Sequence, residues 1–151
     1  MTDYDSSIET TKHIQRVNKL LDDIAHRLVA RGIDHDTSKL NPPEKEGFDV
    51  MTPKLNGCTY GSPEYHGFLK ELQLVLNHHY KHNSHHPEHH SDGFAGMTLI
   101  DLIECFVDWK AASERHADGS IMNSININAK RFNIDPQLVS VFKNTAKLLY
   151  E

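Results

Sequence analysis

The sequence predicts an all-α fold, and three observations carry that expectation. Apolar residues recur three and four positions apart in several separate blocks, no segment alternates convincingly with a period of two, and proline or glycine stands at most block edges. The 151 residues suit one compact domain of about six helices spanning 1–151.

The first helix is expected over 7–31, where Ile14, Val17, Leu20, Leu21, Ile24 and Leu28 form an apolar stripe. Ser6 with Glu9 reads as a capping box, and Gly32 as the stop. The stretch DHDTSKL at 34–40 reads as a short second helix that Pro42-Pro43 cannot continue. Residues 41–62, rich in Pro, Gly, Asn and Thr, read as a long loop or lid, with or without a short turn of helix. Ser62-Pro63 opens a third helix, with Phe68, Leu72, Val75 and Leu76 in phase, running to about Tyr80. A fourth helix is expected from Met97 to His116. A weaker fifth runs from Ile121 to Phe132. A sixth starts at Asp135-Pro136 and carries Leu138, Phe142, Leu148 and Leu149. The apolar positions of the last two suit either the core or a homodimer.

Composition removes several classes of function. No apolar run approaches the ~18 residues of a membrane span. The N-terminal MTDYDSSIETTK lacks a basic stretch followed by an apolar one, so no signal peptide is expected. Cys58 and Cys105 then read as reduced thiols in a cytoplasmic protein. A net charge of −5 argues against bulk nucleic-acid binding, which draws on Lys and Arg. Histidine is the unusual residue: there are 12, and seven of them lie between His78 and His90.

Placement says more than number. His13 is in phase with Val17, Leu20 and Ile24, which points it to a core. His79 continues the face of Phe68, Leu72 and Val75. The doublet His35-Asp36 follows the first helix. On the fourth helix, Leu99, Ile100, Leu102, Ile103, Phe106, Val107 and Trp109 cover more than half the circumference, so that helix is expected to be mostly buried. Asp101, Glu104 and Asp108 form a narrow acidic stripe on it. Buried carboxylates are costly unless paired or metal-bound, and neutral imidazole is a good ligand for divalent metals. Each feature alone has an ordinary structural explanation; their combination and order point to a metal site.

The order of His13, His35-Asp36 with Thr37-Ser38-Lys39 behind it, and an aspartate on a buried helix resembles the HD-domain superfamily of metal-dependent phosphohydrolases. The text HDTSK resembles that family's doublet followed by two residues and a lysine. IDLIECFVDWKAA resembles its last ligand helix and favours Asp108 over Asp101. The resemblance implies an HD-like helical bundle with one metal held by His13, His35, Asp36 and Asp108. The stretch His79, His85-His86-Pro87-Glu88 and Asp92-Gly93 is similar to branches with extra histidines and further metals. Glu9, one turn before His13, fits one such branch. The HHPEH text at 85–89 is also similar to that of small phage and bacterial proteins.

The expected activity is hydrolysis of a nucleotide or other small phosphate ester. One or two divalent ions (Mn, Fe, Co, Ni or Zn) would supply hydroxide at neutral pH. Asp36 would ligate and, with two ions, bridge them; His79, His85 and His86 would hold the second. Lys39 would offset charge on the substrate phosphate. Glu88 and Glu104 are candidates for proton transfer or ligand support, and His82, His89 and His90 read as rim residues. Two other readings keep the same ligands: a di-iron oxygenase, and a nucleotide- or metal-binding module without turnover. A His-rich metal buffer is a further possibility.

Overall fold

In the computed structural model, residues 4–59, 62–115 and 119–151 are described, and among them the chain is all-helical, with no strand. Seven α-helices follow in order: α1 (Ser7–Asp34), α2 (Glu44–Asn56), α3 (Pro63–Glu71), α4 (Gln73–His82), α5 (Leu99–Ser113), α6 (Ile121–Arg131) and α7 (Pro136–Tyr150). Short 3-10 turns cover Thr37–Leu40, Pro87–His89 and Gly93–Gly96. No described helix is long and apolar enough to cross a membrane. The chain divides into two units, Met1–His35 and Asp36–Glu151.

The first unit is essentially α1. It runs three residues past the expected stop, because Gly32 stays helical. The left-handed residue that ends such a turn is Asp36, with φ 56°. Ser6 makes no side-chain cap. Instead Asp5 Oδ1 accepts from the Ser7 amide at 2.9 Å. No residue of α1 is buried. Ile14, Val17, Leu20, Leu21 and Ile24 are exposed, and so is His13. The expectation that His13 faces a core is corrected: a lone helix has no second element in its unit to turn toward.

The second unit has its apolar core among α5, α6 and α7. Phe106, Ile121, Ile125, Ile134, Phe142 and Ala146 are buried together, with Phe94, Leu102 and Trp109 packed against them. Phe106 and Phe142 stack with ring centroids 5.8 Å apart. Truncating such a buried ring to alanine costs about 3–5 kcal/mol. Ser120 and Asp135 cap the starts of α6 and α7. His116, where the fourth helix was expected to end, lies outside the described residues.

Three expectations are corrected here. The long loop over 41–62 is mostly α2. Proline is tolerated where a helix begins, and Pro43 is the residue immediately before its first turn. The third expected helix is two. The chain bends at Leu72, which ends α3 and starts α4, while the bonds Leu72 N to Phe68 O and Leu76 N to Leu72 O (both 3.0 Å) persist on either side. Finally, α5 is not buried around most of its girth. Leu99, Ile103 and Val107 are exposed, whereas Asp101 and Cys105 are inside.

Gly47 sets how closely α2 approaches α4. A Cβ there would fall on the Val75 side chain, 3.1 Å from Cγ1 and in contact with Cγ2. Val75 is β-branched and has few rotamers to escape into. Alanine gains up to ~1 kcal/mol of helix propensity, but overpacking costs about 1–3 kcal/mol. Gly47→Ala is therefore expected to lower the urea midpoint; an unchanged or raised midpoint would show that α2 shifts without cost.

Candidate metal centre

The second unit gathers its histidines at the C-terminal end of α4 and the turn after it. α4 ends at His82, and Asn83 then bonds the carbonyl of His79 (2.8 Å) and Ser38 Oγ (2.8 Å). This turns the chain so that His85 and His86 come back beside His79. Pro87 opens a 3-10 turn behind them. His79 and His85 are each 1% exposed. Asp36 enters from the start of the unit.

Four side chains offer one ligand atom each within 4.8 Å of one another: Asp36, His79, His85 and His86. His79 Nε2 lies 3.3 Å from Asp36 Oδ1 and 2.9 Å from His86 Nε2. His85 Nε2 lies 3.5 Å from the same Asp36 oxygen. These groups can hold a metal ion.

Two carboxylates stand behind the imidazoles, Glu44 buried and Glu104 partly buried. Glu44 Oε2 is 2.8 Å from His79 Nδ1, and Glu104 Oε1 is 3.0 Å from His85 Nδ1. A carboxylate only accepts, so the bonded proton sits on Nδ1, and a neutral ring then presents its lone pair on Nε2. Both Nε2 atoms face the Asp36 carboxylate. A carboxylate oxygen and imidazole nitrogens brought to one point are the arrangement of a ligand set, and the groups can hold a cation there.

Glu44 is 0% exposed. It also accepts from His78 Nδ1 (2.8 Å) and Ser38 Oγ (2.9 Å). Burial alone would raise its carboxyl, but the bonds from His78, His79 and Ser38 outweigh it and hold the group below the ordinary glutamate value. His86 is pushed down to about 3, first by burial and then by the neighbouring His85 and His79, with Asp108 and Asp36 partly opposing. Its ring is neutral at pH 7, as ligation requires.

Both shifts make the metal-free protein acid-labile. Between pH 6.5 and about 3 the unfolded chain takes up a proton at His86 that the folded chain refuses. Stability therefore falls on acidification across that window, by up to about 1.4 kcal/mol per pH unit. Glu44 adds to this once the pH drops below about 4.3, the unfolded glutamate value, and continues until its lower folded value is passed. Urea unfolding of the chelated protein at pH 7, 6 and 5 is expected to show falling midpoints, with a flatter profile in His86→Asn. Equal midpoints at all three values would contradict the placement of His86.

The remaining expected site residues are distributed as follows. His13 is exposed on α1. His35 is the partly buried residue that follows α1, directly before Asp36 in the chain. Asp108 is half-buried on α5 and offers a ligand atom within 4.8 Å of one from His85. Asp101 is committed to a capping box with Thr98 (backbone N to Oδ2, 2.9 Å) and to Ser84 Oγ (2.7 Å). Lys39 Nζ is 2.6 Å from Asp36 Oδ2 and 5.1 Å from the centre of the Phe48 ring. Glu88 does not join the four-residue cluster. Its carboxylate pairs with Arg131 Nη2 at 2.8 Å at the surface, on the 3-10 turn Pro87–His89. His90 is a brace, its Nε2 bonding the Ser84 carbonyl at 2.9 Å. Cys58 and Cys105 are free thiols, and burial pushes that of Cys105 well up.

Glu44 is a residue of the candidate site that sequence reasoning missed. It lies in phase with Phe48, Met51 and Leu55, at i, i+4, i+7 and i+11, and that period was the signal available.

Neither a curated protein nor a solved structure matches the chain. A family model matches residues 2–148, and by that match the chain belongs to DUF5662, a family of unknown function.

Proposed function

We propose that this protein is a metal-dependent phosphohydrolase acting on a nucleotide or other small phosphate ester. The observation that carries the reading is the convergence of His79 Nε2, His85 Nε2, a His86 nitrogen and Asp36 Oδ1, with two rings backed by the Glu44 and Glu104 carboxylates. Three imidazoles and one carboxylate suit Mn²⁺, Fe²⁺, Co²⁺, Ni²⁺ or Zn²⁺. An ion bound there supplies hydroxide at neutral pH by lowering the pKa of a water, and polarises a phosphoryl oxygen. Asp108, close to His85, places a further carboxylate beside the cluster.

The chain's own residues favour a phosphate ester over a neutral substrate. Lys39 sits beside Asp36, where its ammonium can pair with a phosphate oxygen. The net charge of −5 means that an anionic substrate needs such a local positive site. The HDTSK text with its lysine, and the histidines that follow, are the features in which the chain resembles HD-type phosphohydrolases, and they support the same reading.

The test is to strip the full chain with chelator, reload it with each of the five ions, and follow phosphate release from a panel of nucleotides and phosphomonoesters. Turnover with at least one ion, with KM raised more than kcat is lowered in Lys39→Ala, is the expected result. A tightly bound ion with no turnover across the panel would replace this reading with a binding module.

A further inference from the structure

Outside the four-residue cluster, α4 carries a second pair of imidazoles. His78 and His82 are one turn apart, and their rings stack with centroids 4.1 Å apart and planes 25° from parallel. An i, i+4 pair is the spacing at which a helix offers two imidazoles to one ion. Glu44, from α2, completes the group: its Oε1 lies 2.8 Å from His78 Nδ1, and ligand atoms of all three residues lie within 4.8 Å of one another.

The geometry points to a second divalent-cation site formed by Glu44, His78 and His82, which shares no ligand with the Asp36 cluster. Three features support it. His82 Nδ1 donates to the His78 carbonyl at 2.8 Å, which fixes the tautomer and leaves Nε2 as the ligating nitrogen. Glu44 places a negative charge in an interior where it is 0% exposed, and its two oxygens are divided, Oε2 to His79 and Oε1 to His78. The imidazoles stand at the surface, the His78 side chain 35% exposed and His82 exposed, so an ion enters from solution without moving the core.

Without an ion, His78 Nδ1–H donates to Glu44. With one, a neutral His78 carries its proton on Nε2 instead, and both Nδ1 and Oε1 turn their lone pairs to the cation. No net proton is gained or lost in that step. Two nitrogens and one carboxylate oxygen, with the remaining positions left to water, select a borderline ion such as Zn²⁺, Ni²⁺ or Cu²⁺ over Mg²⁺ or Ca²⁺.

This inference does not depend on catalysis at the Asp36 cluster. The experiment is calorimetric titration of the stripped full chain with Zn²⁺, alone and against a competing chelator. Wild type is expected to bind two equivalents. His82→Ala, a change at an exposed position, is expected to lose one and retain the other, as is His78→Gln. Asp36→Asn is expected to lose the opposite one. Cu²⁺ bound to Asp36→Asn should show coupling to two nitrogens by electron paramagnetic resonance. A His82→Ala protein that still binds two equivalents would overturn the proposal, as would a wild type binding a single equivalent that Asp36→Asn abolishes. A single equivalent lost only in His82→Ala would uphold this site and instead remove the four-residue cluster.

Discussion

Asp36→Asn is expected to abolish tight metal loading of the four-residue cluster while leaving the fold intact. Asp36 has φ 56°, a left-handed backbone that asparagine adopts more readily than alanine, so this substitution removes the charge with little strain. Its Oδ1 is the one carboxylate oxygen shared by His79 Nε2 at 3.3 Å and His85 Nε2 at 3.5 Å. Loss of an outer supporting group typically weakens a metal site ~10–100-fold; loss of the anionic ligand itself should exceed that. Zn²⁺ or Mn²⁺ competition with a chelator measures the change, and circular dichroism checks the helices. An affinity within threefold of wild type would mean that the imidazoles alone account for binding. His66→Ala, an exposed change on α3, is the control and should leave loading unchanged.

Glu44 should show the largest effect on stability. Alanine at this position would strand the His79 donor inside the protein and remove the acceptor of His78 and Ser38. Removing one partner from a buried charged network costs about 3–5 kcal/mol. For a chain of this size that lowers Tm by roughly 6–20 °C. Glu44→Gln keeps the volume and one acceptor oxygen, so it should lose less stability than Glu44→Ala. It should also weaken loading of the Asp36 cluster by ~10–100-fold, because His79 then loses the anion that orients its ring. Thermal melts of the stripped protein and chelator competition separate the two effects. Full stability in Glu44→Ala would show that α2 does not hold its carboxylate against α4 in solution.

Where sequence reasoning reached, it did so because the period and the residue types agreed. α5, α6 and α7 carry Phe106, Ile121, Ile125 and Phe142 in phase and open with clear caps, and they form where those patterns place them. Imidazole-rich text is conspicuous in itself, and the chain does bring His79, His85 and His86 together with Asp36. Other parts were obscured for identifiable physical reasons. The inward face of α2 includes a glutamate and a glycine, so its apolar stripe is interrupted just where the helix matters most. Periodicity on α1 identifies an apolar side but says nothing about what covers it, which is why His13 was misplaced. On α5 the same ambiguity worked in reverse: Asp101 and Cys105 face inward, while Leu99, Ile103 and Val107 face out.

Three of the four cluster donors come from one short piece of chain, since His79 and His86 are only seven positions apart. Such a piece keeps an appreciable grip on an ion even after denaturation. By mass action, an ion that also binds the denatured ensemble raises the melting temperature less than its native-state affinity alone would give. Saturating Zn²⁺ should thus protect this protein less than an equally tight site whose donors are scattered along the polypeptide.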